Sequence, residues 1–208
     1  MKTHSLANKS ADRAFTLIEV LAVLGILAIL VAGATPPILA TVKSSRLTAA
    51  ADQVLGALNE AQGLAITFST EVEARFFEAP DSGQDPVLER DSIQIFRLAD
   101  ADAPFNPRDA FEPASARESL PEGISFSRVE KFSSLRRTRP KSEPDNGSTP
   151  AAAVIRFLPD GSTQLDGTGL WFLSLVEERM RDVETLPSNF ATIQLDPATG
   201  RLELHRPN

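Results

Sequence analysis

The feature that most constrains this chain is an apolar run near its amino terminus with a single acid set into its start. From Val20 to Ala34 no side chain is charged or polar, and the apolar stretch opens earlier, at Phe15. Glu19 stands just ahead of the unbroken part. A carboxylate at the centre of a bilayer costs roughly 2.5–3.5 kcal/mol on the insertion scale. A signal peptide or a plain membrane anchor gains nothing from it, so the acid calls for a specific partner. Ahead of the run, residues 1–14 carry Lys2, Lys9 and Arg13 against Asp12. Positive charge on that side keeps the amino terminus cytoplasmic and sends the rest of the chain across the membrane. Ala32-Gly33-Ala34 has the small residues of a signal peptidase site. Thr35-Pro36-Pro37 and further apolar residues follow it, which argues against cleavage there.

The residues Ala14-Phe15-Thr16-Leu17-Ile18-Glu19-Val20-Leu21 resemble the prepilin signature of type IV pilins and type II secretion pseudopilins. The resemblance implies a cut between Ala14 and Phe15 by prepilin peptidase, N-methylation of Phe15, and an assembly role for Glu19. The family usually has Gly before the Phe, where this chain has Ala14. Such a cut leaves a cationic amine four residues from Glu19, about one turn of a continuous helix. In the family, the carboxylate pairs with the amine of a neighbouring subunit, neutralising two charges in lipid and setting register. The plainer alternative is that Glu19 snorkels to the headgroups near a helix end.

Beyond the run, Pro36 and Pro37 are expected to kink or loosen the helix. Val42, Leu47, Ala51, Val54, Leu55, Leu58, Ala61, Ala65 and Ile66 then recur at three- and four-residue steps, with charged and amide residues between them. This is an amphipathic helix whose apolar stripe needs a sheet to cover it. From Phe15 to Thr67 the helix would reach roughly 80 Å if straight. The expected organisation is a leader over 1–14, a transmembrane and assembly half of the helix over 15–39, an amphipathic half over 40–68, and a periplasmic β-rich domain over 70–208.

Within that last region, Val72–Phe76, Ile93–Leu98 and Ile124–Val129 alternate as short half-buried strands. Segments 79–91 and 100–122 are rich in Pro, Asp and Gly and read as long surface loops. Segment 130–150 reads as a flexible loop. Its cations Lys131, Arg136, Arg137, Arg139 and Lys141 form either a patch for an anionic surface or a solvated face, and the second reading is favoured. Strands follow at Ala153–Leu158 and at Gly169–Leu175, where Trp171 reads as core. A closing hairpin pairs Phe190–Leu195 with Arg201–His205. Pro159-Asp160-Gly161-Ser162 supplies turn chemistry, with Gly161 free to take positive φ. A long helix followed by antiparallel strands predicts an α+β fold.

Phe157-Leu-Pro-Asp-Gly161 and the hairpin closed by Thr199-Gly200-Arg201 resemble the H-type minor pseudopilins of type II secretion. With Trp171-Phe-Leu-Ser-Leu175 and Asn189–Gly200 added, the resemblance extends to the verrucomicrobial cassette protein D family of prepilin-like proteins. It implies a pilin-like fold and a structural subunit of a type IV pilus or type II secretion-like filament, with other pilin or pseudopilin subunits and the inner membrane as partners.

Composition narrows the alternatives. With no Cys and two His, His4 and His205, a cysteine nucleophile, a thiolate metal site and a histidine-based triad are excluded or close to it, so no enzyme, cofactor or metal site is expected. Asp160, Asp166 and Asp196 sit beside Gly or Pro as turn residues do, without the spacing of a calcium loop. A binding module on the same scaffold, such as an adhesin or DNA-uptake subunit, is the second reading. The net charge of −7, and Glu203 between Arg201 and Arg206, argue against nucleic acid.

Overall fold

The computed structural model describes residues 16–80, 90–99, 111–140 and 151–207, with the backbone alone described for 32–40. The chain divides into two compact units, Met1–Val42 and Lys43–Asn208.

One helix, α1, covers Leu17–Phe68, with Pro36 and Pro37 inside it. In the first unit its described side chains from Leu17, at 79%, to Val31, at 66%, are exposed and, Glu19 apart, apolar on every face. In the second unit it becomes one-sided. Leu47, Ala51, Val54, Leu58, Ala61 and Ala65 are buried, as the periodicity requires, and Ala50 beside them is buried too, whereas Val42 and Ile66, at the two ends of the expected stripe, are 42% and 50% exposed. Fully burying a Leu or Val contributes about 1.5–3 kcal/mol, and the interspersed alanines let the strands approach closely. The helix ends in a Schellman arrangement. The Thr70 N–H reaches the Ala65 carbonyl at 3.2 Å and the Ser69 N–H reaches that of Ile66 at 3.3 Å. Ser69 takes the left-handed conformation, φ 48°, that Gly usually supplies.

Two antiparallel sheets cover the buried stripe. The first is ordered β3-β2-β1-β6, from Phe111–Pro113, Ser92–Leu98, Val72–Phe77 and Ala153–Phe157, with β4 (Glu118–Ser119) also paired to β2. The second is ordered β5-β7-β8-β9, from Ile124–Phe126, Trp171–Glu177, Ala191–Leu195 and Leu202–His205. The fold is therefore α+β, a helix packed on antiparallel sheets. Strand alternation sets what points inward: Ala74 pairs with Ile95 and Ile155 across three strands, and all three are buried. Phe76 and Phe126 meet edge to face at 5.5 Å, joining one sheet to the other. The opposite face of the first sheet is a charged and aromatic layer. Glu73, almost fully buried, pairs with Arg75 and Arg156, each at 2.7 Å, and Arg75 lies 4.0 Å over the Phe96 ring.

The division into two sheets, and the short strands β3 and β4, were not foreseen. Nor was the order found in 130–140, where a mobile loop was expected. A 3₁₀-helix, η1, covers Ser134–Thr138, and Leu135 is buried beneath it. Hydroxyls explain why this serine-rich stretch is held. Ser134 Oγ donates to the Leu170 carbonyl and accepts the Phe172 N–H, at 2.8 and 2.9 Å, while Ser133 Oγ accepts the Ser174 N–H at 3.1 Å. Together they occupy the edge of β7 that β5 is too short to reach. Thr138 Oγ1 accepts the Val154 N–H at 2.9 Å, so η1 satisfies an edge of each sheet. Residues 141–150 lie outside the described part.

Candidate functional site

The segment carrying the sequence signature opens α1. Thr16 precedes the helix, and its carbonyl accepts the N–H groups of Glu19 at 3.1 Å and Val20 at 3.2 Å. Its hydroxyl also accepts the Glu19 N–H, at 3.3 Å. Thr16-Leu17-Ile18-Glu19 therefore has the spacing of a capping box, with the acid in the first turn where the helix dipole favours negative charge. That local role was visible in the Thr-x-x-Glu spacing and had gone unread. It sets the acid at the end of the helix where the dipole favours it, and it leaves the carboxylate itself exposed. Ala14 and Phe15, between which cleavage is expected, lie outside the described residues. Among the described residues no helix is long and apolar enough to cross a membrane; the described side chains of the run stop at Val31.

The second group of sequence candidates, the cations of 131–141, does not form an open patch over its described part. Arg136 forms an ion pair with Glu78, which Arg128 also approaches at 3.7 Å. Burial, helped by the neighbouring Arg139, lowers the pKa of Arg136 from its ordinary value. Lys131 donates to the Glu184 carbonyl at 3.1 Å and lies over the Phe132 ring. Arg137 faces Glu130 at 4.0 Å. Arg201 pairs with Glu203 at 2.9 Å, and Arg206 donates to Thr48 at 2.8 Å. Cations turned to carboxylates and carbonyls are poor phosphate binders.

The three turn aspartates act as their neighbours suggested. Asp160 accepts the hydroxyl and N–H of Ser162, Asp166 those of Thr168, and Asp196 the N–H of Ala198. These bonds hold each carboxyl below its usual pKa. Among the described residues no group of acids and histidines could hold a metal. Trp171 is half-buried at the rim of the core and donates its indole N–H to the Asp166 carbonyl at 2.8 Å.

Two constellations escaped sequence reasoning. Gln62 of α1 donates to the Gly161 carbonyl at 2.9 Å and to the Thr199 carbonyl at 3.0 Å. It thereby binds the helix to both glycine turns, whose φ values are +84° and +67°. Asp91, 2% exposed, accepts the Ala79 N–H at 2.8 Å, the Ser125 hydroxyl at 2.6 Å and the Phe126 N–H at 2.8 Å, linking the ends of β1 and β5. Neither residue is marked by a motif, because each works through backbone groups far away in the chain.

Among protein families, the Prokaryotic N-terminal methylation motif matches residues 9–35. No curated protein matches the chain. Among solved structures, the minor pseudopilin EpsH from the Type 2 Secretion System of Vibrio cholerae is similar at 11% identity and a TM-score of 0.44, covering 77% of this chain and 97% of that one. The type IV minor pilin FimU of Pseudomonas aeruginosa is similar at 10% identity and a TM-score of 0.45, covering 77% and 89%. Structural likenesses of this size carry no functional argument. The family match falls on the basic leader, Glu19 and the apolar run, and so the chain carries at its amino terminus the prokaryotic N-terminal methylation motif.

Proposed function

We propose that this chain is a minor pilin or pseudopilin, a structural subunit of a type IV pilus or type II secretion-like filament. Prepilin peptidase removes residues 1–14 by cutting between Ala14 and Phe15, and the new amino terminus is methylated. Residues 15–39 hold the subunit in the inner membrane, with the amino terminus cytoplasmic, and residues 70–208 form a periplasmic domain on the spine of α1. Glu19 pairs with the amine of a neighbouring subunit as the filament grows.

The observation that carries this reading is the methylation motif over 9–35, with Glu19 exposed in the first turn of a helix whose neighbouring side chains are apolar on every face. A helix that is apolar all round needs lipid or other chains around it. An exposed carboxylate in that setting needs a cation.

Mass spectrometry of membrane-extracted protein tests the processing step. A mature chain starting at N-methylated Phe15 is expected, and an intact leader or a start near Thr35 refutes it. Glu19→Gln tests the pairing. It keeps the helix start and the side-chain length, so membrane insertion should be unchanged while incorporation into filaments falls at least tenfold. Unchanged incorporation removes the pairing role.

A further inference from the structure

One side chain fixes where the long helix starts. Thr16 is the N-cap of α1, whose first residue is Leu17. The Thr16 carbonyl accepts the Val20 N–H at 3.2 Å, the first bond of the helical ladder, and its hydroxyl accepts the Glu19 N–H at 3.3 Å. The residues just ahead of Thr16 do not of themselves oppose a helix. Arg13 and Ala14 are among the strongest helix formers, where the family's usual Gly before Phe15 would be among the weakest. Asp12 is the next residue upstream whose side chain suits a cap. A helix capped by Asp12 would begin at Arg13 and tie the Ala14 carbonyl to the Ile18 N–H. That start lacks the acid three residues on that Glu19 supplies to Thr16, since Phe15 stands there.

We infer that Thr16 is a positioning residue for the cut between Ala14 and Phe15: by capping α1 it stops the helix from running back through the bond to be hydrolysed. The inference rests on the processing reading above. Hydrolysis adds water across that amide, leaving a carboxylate on Ala14 and an amine on Phe15, and the Ala14 carbonyl carbon is the atom attacked. A peptidase lays an extended segment alongside its own main chain, which needs carbonyl and N–H groups that no helix is using. With the cap in place the ladder opens at the Thr16 carbonyl, two residues past that of Ala14. Removing the hydroxyl weakens the start at Leu17 relative to a start at Arg13, and lowers the share of chains that can be cut. The hydroxyl stays with the mature chain, so α1 keeps its start after cleavage.

The test uses the full precursor in membranes, incubated with prepilin peptidase, with the appearance of the chain starting at Phe15 followed by mass spectrometry. Loss of a cap costs about 1 kcal/mol, so Thr16→Ala and the shape-matched Thr16→Val should be cut about fivefold more slowly than wild type. Thr16→Ser and Thr16→Asp restore a capping oxygen and should be cut within about twofold of the wild-type rate. Asp12→Ala placed in the Thr16→Ala chain removes the competing cap and should recover most of the lost rate, a reversal that no general loss of stability produces. Rescue by serine without rescue by Asp12→Ala would mean that the peptidase reads the hydroxyl itself, and overturns the positioning role. Failure of wild type to be cut between Ala14 and Phe15 defeats the processing reading and the inference with it. Wild type cut at that bond, with Thr16→Ala and Thr16→Val cut just as fast, defeats the inference alone.

Discussion

Replacing Gly200 with Ala puts the junction of α1 with its two glycine turns to a quantitative test. At φ +67° an L-residue pays about 1–2 kcal/mol for the left-handed conformation. The added Cβ would also fall inside van der Waals contact of the Gly161 carbonyl oxygen and of Gln62 Nε2. Gln62 must then withdraw from the carbonyls of Gly161 and Thr199, which it now reaches at 2.9 and 3.0 Å. Each of those bonds is worth about 1 kcal/mol net. The total for Gly200→Ala is therefore about 3–4 kcal/mol, before any backbone shift that relieves the contact with Gly161. Gly161→Ala should cost less, about 1–2 kcal/mol. Its φ of +84° is also left-handed, but its Cβ would meet the flexible end of the Ile66 side chain, at 3.0 Å, rather than backbone. Gln62→Ala alone should cost about 2 kcal/mol. In the Gln62→Ala background the Gly200 change should cost about 2 kcal/mol less than in wild type, because the two Gln62 bonds it would break are already gone. Urea unfolding of the detergent-solubilised chain, followed through its single tryptophan, Trp171, measures all four variants. Strict additivity of the double mutant, or a Gly200→Ala cost no larger than that of Gly161→Ala, would show that Gln62 does not join the helix to these turns.

Leu135→Ala should destabilise the domain by about 2–5 kcal/mol, since Leu135 is 1% exposed; a change under 0.5 kcal/mol in the same unfolding assay would return segment 130–140 to the status of a mobile loop. Asp91→Ala strips three buried donors, the Ala79 and Phe126 N–H groups and the Ser125 hydroxyl, of their acceptor. It should cost about 3–5 kcal/mol and raise amide hydrogen exchange at Ala79 and Phe126 above that at Leu173. Asp160, Asp166 and Asp196 have carboxyl pKa values lowered by the turn bonds they accept, so each stabilises the fold above its ordinary unfolded value of about 3.9 and loses that contribution as pH falls through its lower folded value. The unfolding midpoint should accordingly fall in the window below about pH 4, and Asp160→Asn should flatten that acid limb while an unchanged limb would separate Asp160 from it.

The sequence by itself was enough for the long helix, the strand at Val72, the closing hairpin and the segment where function is sought. Each of those is written in near neighbours: an apolar run with one acid, a period of three to four, alternation, and Asp-Gly or Thr-Gly turns. Thr16 and Glu19 were just as local, and only their joint spacing went unread. What the tertiary structure decided are the places where distant backbone groups meet one side chain. Leu135 and the hydroxyls of Ser133, Ser134 and Thr138 look in sequence like part of a polar loop, yet they close the open edges of β6 and β7. Gln62 resembles any solvated helix residue until two glycine turns are folded against it. The cations of Lys43 and Arg179, far apart in the chain, share one oxygen of Glu177 only because the start of the domain helix packs beside the end of β7. Hydrophobic periodicity is a property of a segment and can be read along it. The partner of a buried polar group is a property of the assembled core, because burial is what makes leaving that group unpaired costly.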